Sequence, residues 1–224
     1  MLDKTRKLLI FGMGDFAQLA HFYFSEESEY EVVGFTADDK YVQESGGKFC
    51  GKPVFKFEDI TSEYPPDDHY MFIAIGYASV NKVRAEKYSI AKEKGYKLAR
   101  FISPKATNYS DSIGENCFIF EDNTIQPFVE IGNNVILWSG NHIGHHSKIG
   151  NHCFVASHAV ISGHVSVGDY CFIGVNATIR DSVSIADNTI VGASALIMKN
   201  TKPNEVYMGD RTKLFSRSSD RIGM

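Results

Sequence analysis

The segment from Trp138 to Cys153, WSGNHIGHHSKIGNHC, contains four of the eight histidines of the chain. Imidazole groups at this density can do three kinds of chemistry. They can bind a transition metal, take up a proton in acid–base catalysis, or form hydrogen bonds at a surface. Which of these applies depends on which rings share one face, and therefore on the structural element that carries them.

A six-residue period runs through this segment and beyond it on both sides. An aliphatic residue occupies every sixth position from Ile113 to Ile197 without a gap. This period fits neither an α-helix nor a β-strand, and a short fixed repeat predicts a solenoid in which three sixes form one triangular coil. Glycine often follows the aliphatic residue, and we expect it to permit the backbone geometry of the corners.

Three of the four cysteines share one phase of this period. Cys117, Cys153 and Cys171 each follow an inward aliphatic residue by four positions, and the chain has no CxxC pair. They are predicted to stack in one column with Val135 and Thr189 as small corner residues. We therefore predict no catalytic cysteine, and the pattern suits a reducing compartment.

The composition excludes several classes of protein. With 224 residues, 22% charged side chains and a formal net charge of -4, the sequence is typical of a globular chain and offers no basic field for a nucleic-acid backbone. The chain has no run of eighteen apolar residues and no signal-peptide pattern. We predict a cytoplasmic protein without a nucleic-acid partner and without membrane insertion.

The residues before the repeat have a different pattern. KLLIFGMGDFAQLAHFYF predicts a buried strand, a glycine turn at Gly12 and Gly14, and a helix, while EVVGFTADD predicts a second strand that ends at Asp38. HYMFIAIGYASVNKVR predicts another strand that leads through Gly76 into a helix. Such strand ends bind nucleotides and phosphates, although a glycine turn can also serve chain reversal alone.

The repeat units IGNHCF and VGDYCF resemble those of the hexapeptide-repeat acyltransferases. With the preceding α/β module and the segments GKPVF, FISPKA and NHIGHHSKIG, the chain resembles their subfamily that N-acetylates nucleotide-linked amino sugars, which has relatives that O-acetylate sialic acid. The resemblance implies a Rossmann-like parallel-sheet α/β domain over residues 1–103 and a left-handed parallel β-helix over residues 104–224.

The resemblance also implies the reactants and the assembly. Acetyl-CoA is the expected co-substrate, with no metal. The expected acceptor is an amino-dideoxy sugar linked to UDP, dTDP or GDP, of the 4-amino-4,6-dideoxy type, in the biosynthesis of surface glycans such as O-antigen lipopolysaccharide. The expected assembly is a homotrimer with active sites between subunits.

Site residues follow from the resemblance by position. Those expected to bind the nucleotide sugar are Gly12, Gly14, Asp15, Asp38, Gly76 and Tyr77, with Arg84 as a further contact. Those expected to bind the coenzyme are Gly163 at the thioester oxygen, Val175 and Ala193 along the pantetheine arm, and Lys199 at phosphate. The family's closing motif appears here only as GDRTK, which departs from the usual pattern at the adenine end.

The histidines can then be sorted by phase. The family's catalytic histidine stands in H-[DE]-x-x-I-G, and HHSKIG matches this motif with His145 as the base. His146 replaces the usual acidic residue, and we expect it to orient His145 by a hydrogen bond. His142 is the next candidate for the base. Two further histidines, His152 and His158, are expected at solvated faces or subunit contacts.

The repeat length predicts which residues of successive coils are neighbours. Eighteen residues after His145 comes Gly163, and eighteen after His146 comes His164. At a strand spacing of about 4.8 Å, the imidazole of His145 should lie beside the Gly163 amide. Acyl transfer needs this pairing, because a base takes the proton of the attacking amine and an N–H donor stabilises the oxyanion.

Other functions stay open at this stage. The fold also suits transfer to a hydroxyl group, as in O-acetylation of sialic acid, or transfer of a longer acyl group. A γ-class carbonic anhydrase would hold zinc with three histidines from adjacent subunits. A nucleotide-sugar binder without activity and a β-helix that serves only as a scaffold are the remaining alternatives.

Overall fold

The computed structural model describes residues 4–214, 216 and 218. An α/β domain comes first and a parallel β-helix follows it. The elements of the first domain are β1 (Arg6–Phe11), α1 (Asp15–Glu27), β2 (Tyr30–Ala37), α2 (Asp39–Glu44), β3 (Lys48–Phe49), β4 (Lys52–Lys56), α3 (Ile60–Glu63), β5 (His69–Ile73), α4 (Lys82–Glu93) and β6 (Lys97–Leu98).

The sheet of the α/β domain has the strand order β3-β4-β2-β1-β5-β6. All neighbours are parallel except β3 and β4, which are antiparallel. The central strand β1 is a continuous apolar run because both faces of the sheet are covered. Leu8 and Ile10 pack on the side of α1, whereas Leu9 packs on the side that contains Ala91 of α4.

The β-helix consists of strands of two residues. They are β7 (Phe101–Ile102), β8 (Thr107–Asn108), β9 (Ser112–Ile113), β10 (Phe118–Ile119), β11 (Thr124–Ile125), β12 (Glu130–Ile131), β13 (Ile136–Leu137), β14 (His142–Ile143), β15 (Lys148–Ile149), β16 (Phe154–Val155), β17 (Val160–Ile161), β18 (Ser166–Val167), β19 (Phe172–Ile173), β20 (Thr178–Ile179), β21 (Ser184–Ile185), β22 (Ile190–Val191), β23 (Leu196–Ile197) and β24 (Val206–Tyr207). The first of them, β7, already pairs with β10, so β-helix pairing begins at Phe101. The boundary at residues 103 and 104 stays a prediction.

Three parallel sheets form the sides of the triangular coil. The first sheet contains β7, β10, β13, β16, β19, β22 and β24. The second contains β8, β11, β14, β17, β20 and β23, and the third contains β9, β12, β15, β18 and β21. His142 pairs with Thr124 on one side and Val160 on the other, so neighbouring strands are eighteen residues apart, as the period predicts.

The aliphatic residues at the six-residue positions form the core of the β-helix. Each exposes 7% of its surface or less: Ile113, Ile119, Ile125, Ile131, Leu137, Ile143, Ile149, Val155, Ile161, Val167, Ile173, Ile179, Ile185, Val191 and Ile197. Burial of each side chain stabilises the fold by about 1.5–3 kcal/mol. The predicted repeat and its inward phase are therefore confirmed.

The glycines have a different role from the one expected. From Ile113 to Val191, the corners turn at the third residue after each inward aliphatic, which has positive φ and is usually not glycine, as at Asn134 (φ 59°). The glycines directly after the aliphatic residue instead permit close approach of the coils. A Cβ on Gly144 would lie 2.5 Å from the backbone nitrogen of Gly163, which no side chain could tolerate.

The α/β domain packs against the first sheet of the β-helix through aromatic side chains. Phe118 and Phe120 point outward from that sheet and contact Phe16 and Tyr23 of α1, with ring centroids between 5.3 and 6.3 Å apart. Phe118 is fully buried by this contact. The interface therefore holds α1 of the α/β domain against the first sheet of the β-helix.

None of the helices within the described residues is both long enough and apolar enough to cross a membrane.

Candidate active site

Four of the histidines occupy corners of the β-helix. His146, His152, His158 and His164 have left-handed backbone conformations, with φ between 56° and 60°. Asparagine, aspartate and histidine are enriched in this conformation, which most other side chains avoid. The abundance of histidine in this region therefore has a structural cause at these four positions. His145, which precedes a corner, has no such cause.

The imidazole of His145 lies directly over Gly163. A Cβ on Gly163 would come within 2.9 Å of both Cε1 and Nε2 of the His145 ring. The next residue links the two coils, because the His164 N–H donates to the His145 carbonyl at 2.9 Å. The predicted contact between residues 145 and 163 is therefore confirmed, and it requires glycine at 163.

The Gly163 amide is available to a ligand. Among residues 4–214, 216 and 218, no acceptor forms a hydrogen bond with its N–H, whereas the N–H of His145 donates to Gln126 Oε1 at 2.8 Å. The carboxylate of Asp181 lies on the next coil, with Oδ1 3.1 Å from the position of a Gly163 Cβ. A free N–H beside an imidazole can stabilise a developing oxyanion.

His146 contacts the candidate base. Its Nδ1 lies 3.1 Å from Nδ1 of His145, and its ring stacks on that of His164 with centroids 4.9 Å apart. The predicted neighbourhood of His146 and His164 is confirmed. Phe128 covers the other side of the pair, 4.7 Å from the His146 ring. This packing holds His146 where it can orient His145, a role that stays a prediction.

The residues expected at the coenzyme lie in two columns of the β-helix. We call His145, Gly163, Asp181 and Lys199 the His145 column, because eighteen residues separate successive members at the corner after the second sheet. Val175 and Ala193 form the Val175 column, at the corner after the first sheet. Lys199, Val175 and Ala193 are all exposed. Successive members of a column thus lie on successive coils, and the second sheet lies between the two columns.

A cavity of about 440 Å³ opens at the carboxyl ends of the α/β strands. Gly12, Gly14 and Asp38 line it, as the sequence predicts for a nucleotide site, together with Tyr41 and Lys87. Gly12 is required there because its φ is 123° and a Cβ would lie 2.7 Å from the Ala74 carbonyl oxygen. Gly14 has open space in front of it, at the N-terminus of α1.

Lys87 is a cavity residue that the sequence analysis did not identify. Its Nζ donates to Asp38 Oδ1 at 2.6 Å and lies 5.4 Å from the centre of the Phe11 ring. This ion pair lies at the cavity, beside the carboxyl ends of the strands. Only the packing of α4 against β5 and β6 shows that this lysine faces the cavity.

The other predicted sugar contacts lie outside this lining. Asp15 is exposed at the first residue of α1. Gly76 and Tyr77 belong to the segment after β5, whose neighbours Ile75 and Ala78 do line the cavity. Tyr77 is 57% exposed and rests on the β-helix, with its ring 5.0 Å from those of Phe154 and Phe172. Their roles at a nucleotide sugar stay predictions.

The prediction that Arg84 contacts the nucleotide is wrong. Arg84 is fully buried, and its guanidinium donates to the carbonyls of Gly76, His152 and Cys153 at 2.6, 3.1 and 3.0 Å. Burial lowers the pKa of Arg84 from its usual value to about 10. The side chain joins the α/β domain to the β-helix and cannot reach the cavity.

His152 also differs from expectation. It is half-buried where the domains meet, with Nδ1 2.8 Å from Asn134 Nδ2 and its ring stacked on Tyr170. Burial and the charge of Arg84 lower the pKa of His152. His152 is therefore part of the domain junction, whereas His158 is exposed as expected.

Three of the four cysteines are interior residues of the β-helix. Cys117, Cys153 and Cys171 are fully buried, as their phase predicts, and burial raises the pKa of the Cys117 thiol to about 12. Burial also raises the pKa of Cys153 well above its usual value. A thiol in this state is not a nucleophile at neutral pH.

We expect Cys153→Ala to leave kcat for acyl transfer unchanged within a factor of about two, because no acyl-enzyme forms on this thiol. Steady-state kinetics of the variant, with its melting temperature as the control for folding, checks this. A loss of activity in a variant that melts like the wild type would contradict a direct transfer.

Family comparisons agree with this architecture. Residues 7–91 match the PglD N-terminal domain. Residues 112–145, 130–163 and 164–199 match the bacterial transferase hexapeptide, a family of six repeats. The chain thus combines a domain that matches the PglD N-terminal domain with the repeats of bacterial hexapeptide transferases. The predicted fold class, an α/β domain followed by a left-handed parallel β-helix, is thereby confirmed.

Several solved structures have the same fold. PerB from Caulobacter crescentus, in complex with CoA and GDP-perosamine, is 23% identical, with 91% of this chain and 94% of that chain covered and a TM-score of 0.80. The acetyltransferase domain of PglB from Neisseria gonorrhoeae FA1090, in complex with acetyl coenzyme A, is 22% identical, with coverages of 92% and 97% and a TM-score of 0.80. WeeI from Acinetobacter baumannii AYE is 21% identical, with coverages of 90% and 96% and a TM-score of 0.67. No curated protein sequence matches the chain.

Proposed function

We propose that this transferase moves the acetyl group of acetyl-CoA to the amino group of a nucleotide-linked amino-dideoxy sugar. The observation that carries the proposal is the His145 imidazole lying over Gly163, whose N–H has no acceptor among the residues that the structure describes. A base and an oxyanion donor on adjacent coils are the two groups that direct acyl transfer needs from a protein. The fully buried Cys117 and Cys153 offer no competing nucleophile.

The reaction proceeds in one ternary complex. The sugar amine attacks the thioester carbon, His145 Nε2 takes the proton from the amine, and the Gly163 N–H stabilises the negative oxygen. Collapse of the tetrahedral intermediate expels the CoA sulfur, which receives the proton from His145. For Nε2 to act as the base, Nδ1 of His145 must carry the ring proton. This N–H can donate a hydrogen bond to His146 Nδ1, 3.1 Å away.

The α/β domain is the proposed site for the nucleotide. The cavity beside Gly12, Gly14 and Asp38 lies at the carboxyl ends of parallel strands and at the N-terminus of α1, where phosphates bind. Two structures of similar fold support this assignment: one contains CoA and GDP-perosamine, and the other contains acetyl coenzyme A. A surface-glycan precursor is the corresponding substrate class.

A homotrimer with active sites between subunits is part of the proposal. The His145 column and the Val175 column stand at different corners of one coil, so a pantetheine arm that touches both fits best between two copies. The second sheet, which separates them, exposes apolar side chains, with Val160 39% and Leu196 62% exposed. A neighbouring subunit would cover these residues, as closed assemblies of coil proteins do.

A coupled assay of acceptors tests the proposed function. Purified protein is incubated with acetyl-CoA and a panel of UDP-, dTDP- and GDP-linked 4-amino-4,6-dideoxy sugars, and the free thiol of CoA is followed. We expect thiol release with at least one amino sugar, and a product whose mass has increased by one acetyl group. Release only with hydroxyl acceptors such as sialic acid would refute N-acetylation.

Lys87→Met is expected to raise KM for the nucleotide sugar about tenfold or more, because the bound nucleotide would lose a charged hydrogen bond from the Lys87 ammonium group. The KM for acetyl-CoA should not change, since the cavity is separate from the His145 column. Lys82→Met is the matched control, because this exposed lysine lies on the same helix and does not line the cavity. Equal KM values in both variants would contradict the nucleotide site.

A further inference from the structure

Three imidazoles of one chain meet beside Gly163. One nitrogen from each of His145, His146 and His164 lies within 4.8 Å of the other two, and all three side chains are exposed. The two Nδ1 atoms of His145 and His146 are 3.1 Å apart. The ring of His164 is perpendicular to that of His145, with centroids 5.0 Å apart.

The separations are close to those of a metal site. A tetrahedral zinc ion with Zn–N bonds of about 2.0–2.1 Å holds its ligand nitrogens about 3.3 Å apart. One pair already satisfies this distance, and small side-chain rotations would bring in the third ring. Because all three histidines are exposed, solvent could supply a fourth ligand. The Asp181 carboxylate lies next to Gly163 on the following coil. Three imidazoles favour zinc, copper or nickel over magnesium or calcium.

The backbone places the three histidines side by side before any ion binds. His146 and His164 occupy equivalent left-handed corners on successive coils, and the His164 N–H donates to the His145 carbonyl at 2.9 Å. Phe128 packs against the His146 ring from the other side. The ordering of the ligands is therefore part of folding, which favours binding.

We propose that His145, His146 and His164 bind one divalent transition-metal ion per chain, and that the bound ion inhibits the transferase. An ion bound at Nδ1 of His145 would leave the ring proton on Nε2, so the proposed base would have no lone pair for the proton of the amine. Inhibition rests on the proposed function, whereas binding rests only on the geometry of the three rings. The proposed site is thus an inhibitory metal site, and the ion takes no part in the reaction.

Calorimetric titration of the full chain with ZnCl₂ tests the site. We expect one ion per chain for the wild type, and affinity reduced tenfold or more in His164→Asn, which removes one ligand. Asparagine is chosen because it accepts the left-handed backbone of this corner. His158→Asn is the matched control: it makes the same change at an equivalent corner outside the cluster and should bind zinc like the wild type.

The activity arm uses the same variants. Zinc should inhibit the wild type and His158→Asn reversibly, with full recovery after EDTA, and His164→Asn should need at least about tenfold more zinc. Absence of zinc binding by the wild type, or equal binding by His164→Asn, would overturn the proposal. Zinc binding without any acetyl transfer in metal-free buffer would keep the site and reject the proposed function instead.

Discussion

His145→Ala should lower kcat by about 10²- to 10⁴-fold, the usual contribution of a general base. Acetyl-CoA should still bind with unchanged affinity, because the variant keeps the Gly163 amide and the exposed coenzyme surface. The side chain is exposed and makes no core contact, so the variant should fold normally. Steady-state release of CoA thiol gives kcat, and calorimetric titration gives the affinity for acetyl-CoA.

His142→Ala is the control for this experiment, since His142 is the rival candidate for the base. It lies on strand β14 between Thr124 and Val160, away from the corner that carries Gly163. We expect its kcat to stay within about tenfold of the wild type. A larger loss in His142→Ala than in His145→Ala would reassign the base.

Arg84→Met should destabilise the protein by about 3–5 kcal/mol, as expected when a buried charged hydrogen-bond network is broken. The guanidinium supplies the donors for the carbonyls of Gly76, His152 and Cys153. Methionine has a similar volume but no donor, so the Gly76 and His152 carbonyls lose their partner at about 1–3 kcal/mol each. The Cys153 carbonyl keeps the hydrogen bond from the Ile136 N–H. For a chain of this size, the melting temperature should fall by roughly 6–20 °C.

Arg6→Met is the matched control for the loss of charge. Arg6 forms an exposed ion pair with Glu29 at 2.7 Å, and such pairs contribute about 0–1 kcal/mol. Differential scanning calorimetry of both variants compares them directly. If Arg84→Met melts within about 2 °C of the wild type, the carbonyls do not depend on the guanidinium, and Arg84 is not the main connection between the domains.

The sequence determines much of the β-helix because its period fixes the phase of every residue. The inward position of Ile143 and the eighteen-residue step from His145 to Gly163 require no knowledge of distant contacts. The burial of Cys153 and the stacking of His146 on His164 follow from the same count. These features are local in the repeat, and a repeat makes neighbours on successive coils calculable from residue numbers.

Features that depend on packing between the domains could not be predicted in this way. Arg84 follows a strand end that suggests anion binding, but α4 turns this side chain into the domain junction and turns Lys87 toward the cavity. The two residues are three positions apart on one helix, and a sequence pattern alone does not say which position faces the ligand. Burial of His152 has the same origin, because Tyr88 and Tyr170 pack against it.

The role of the corner residues also needed the structure. Glycine suggested positive φ, but the left-handed positions follow it by two residues and contain mostly asparagine, serine or histidine. The glycines are needed where successive coils touch, as at Gly144. The sequence did contain a signal for the left-handed corners, because histidine recurs every sixth residue from His146 to His164. Histidine is enriched in this backbone conformation.

A crystal structure of the protein with coenzyme A would test the central claim most directly. We predict that the CoA sulfur lies in the groove beside the His145 column, within reach of the Gly163 N–H and of His145 Nε2. Coenzyme bound with its sulfur at another corner of the β-helix, or with His145 turned away from it, would contradict the assignment of this pair as the acetyl-transfer centre.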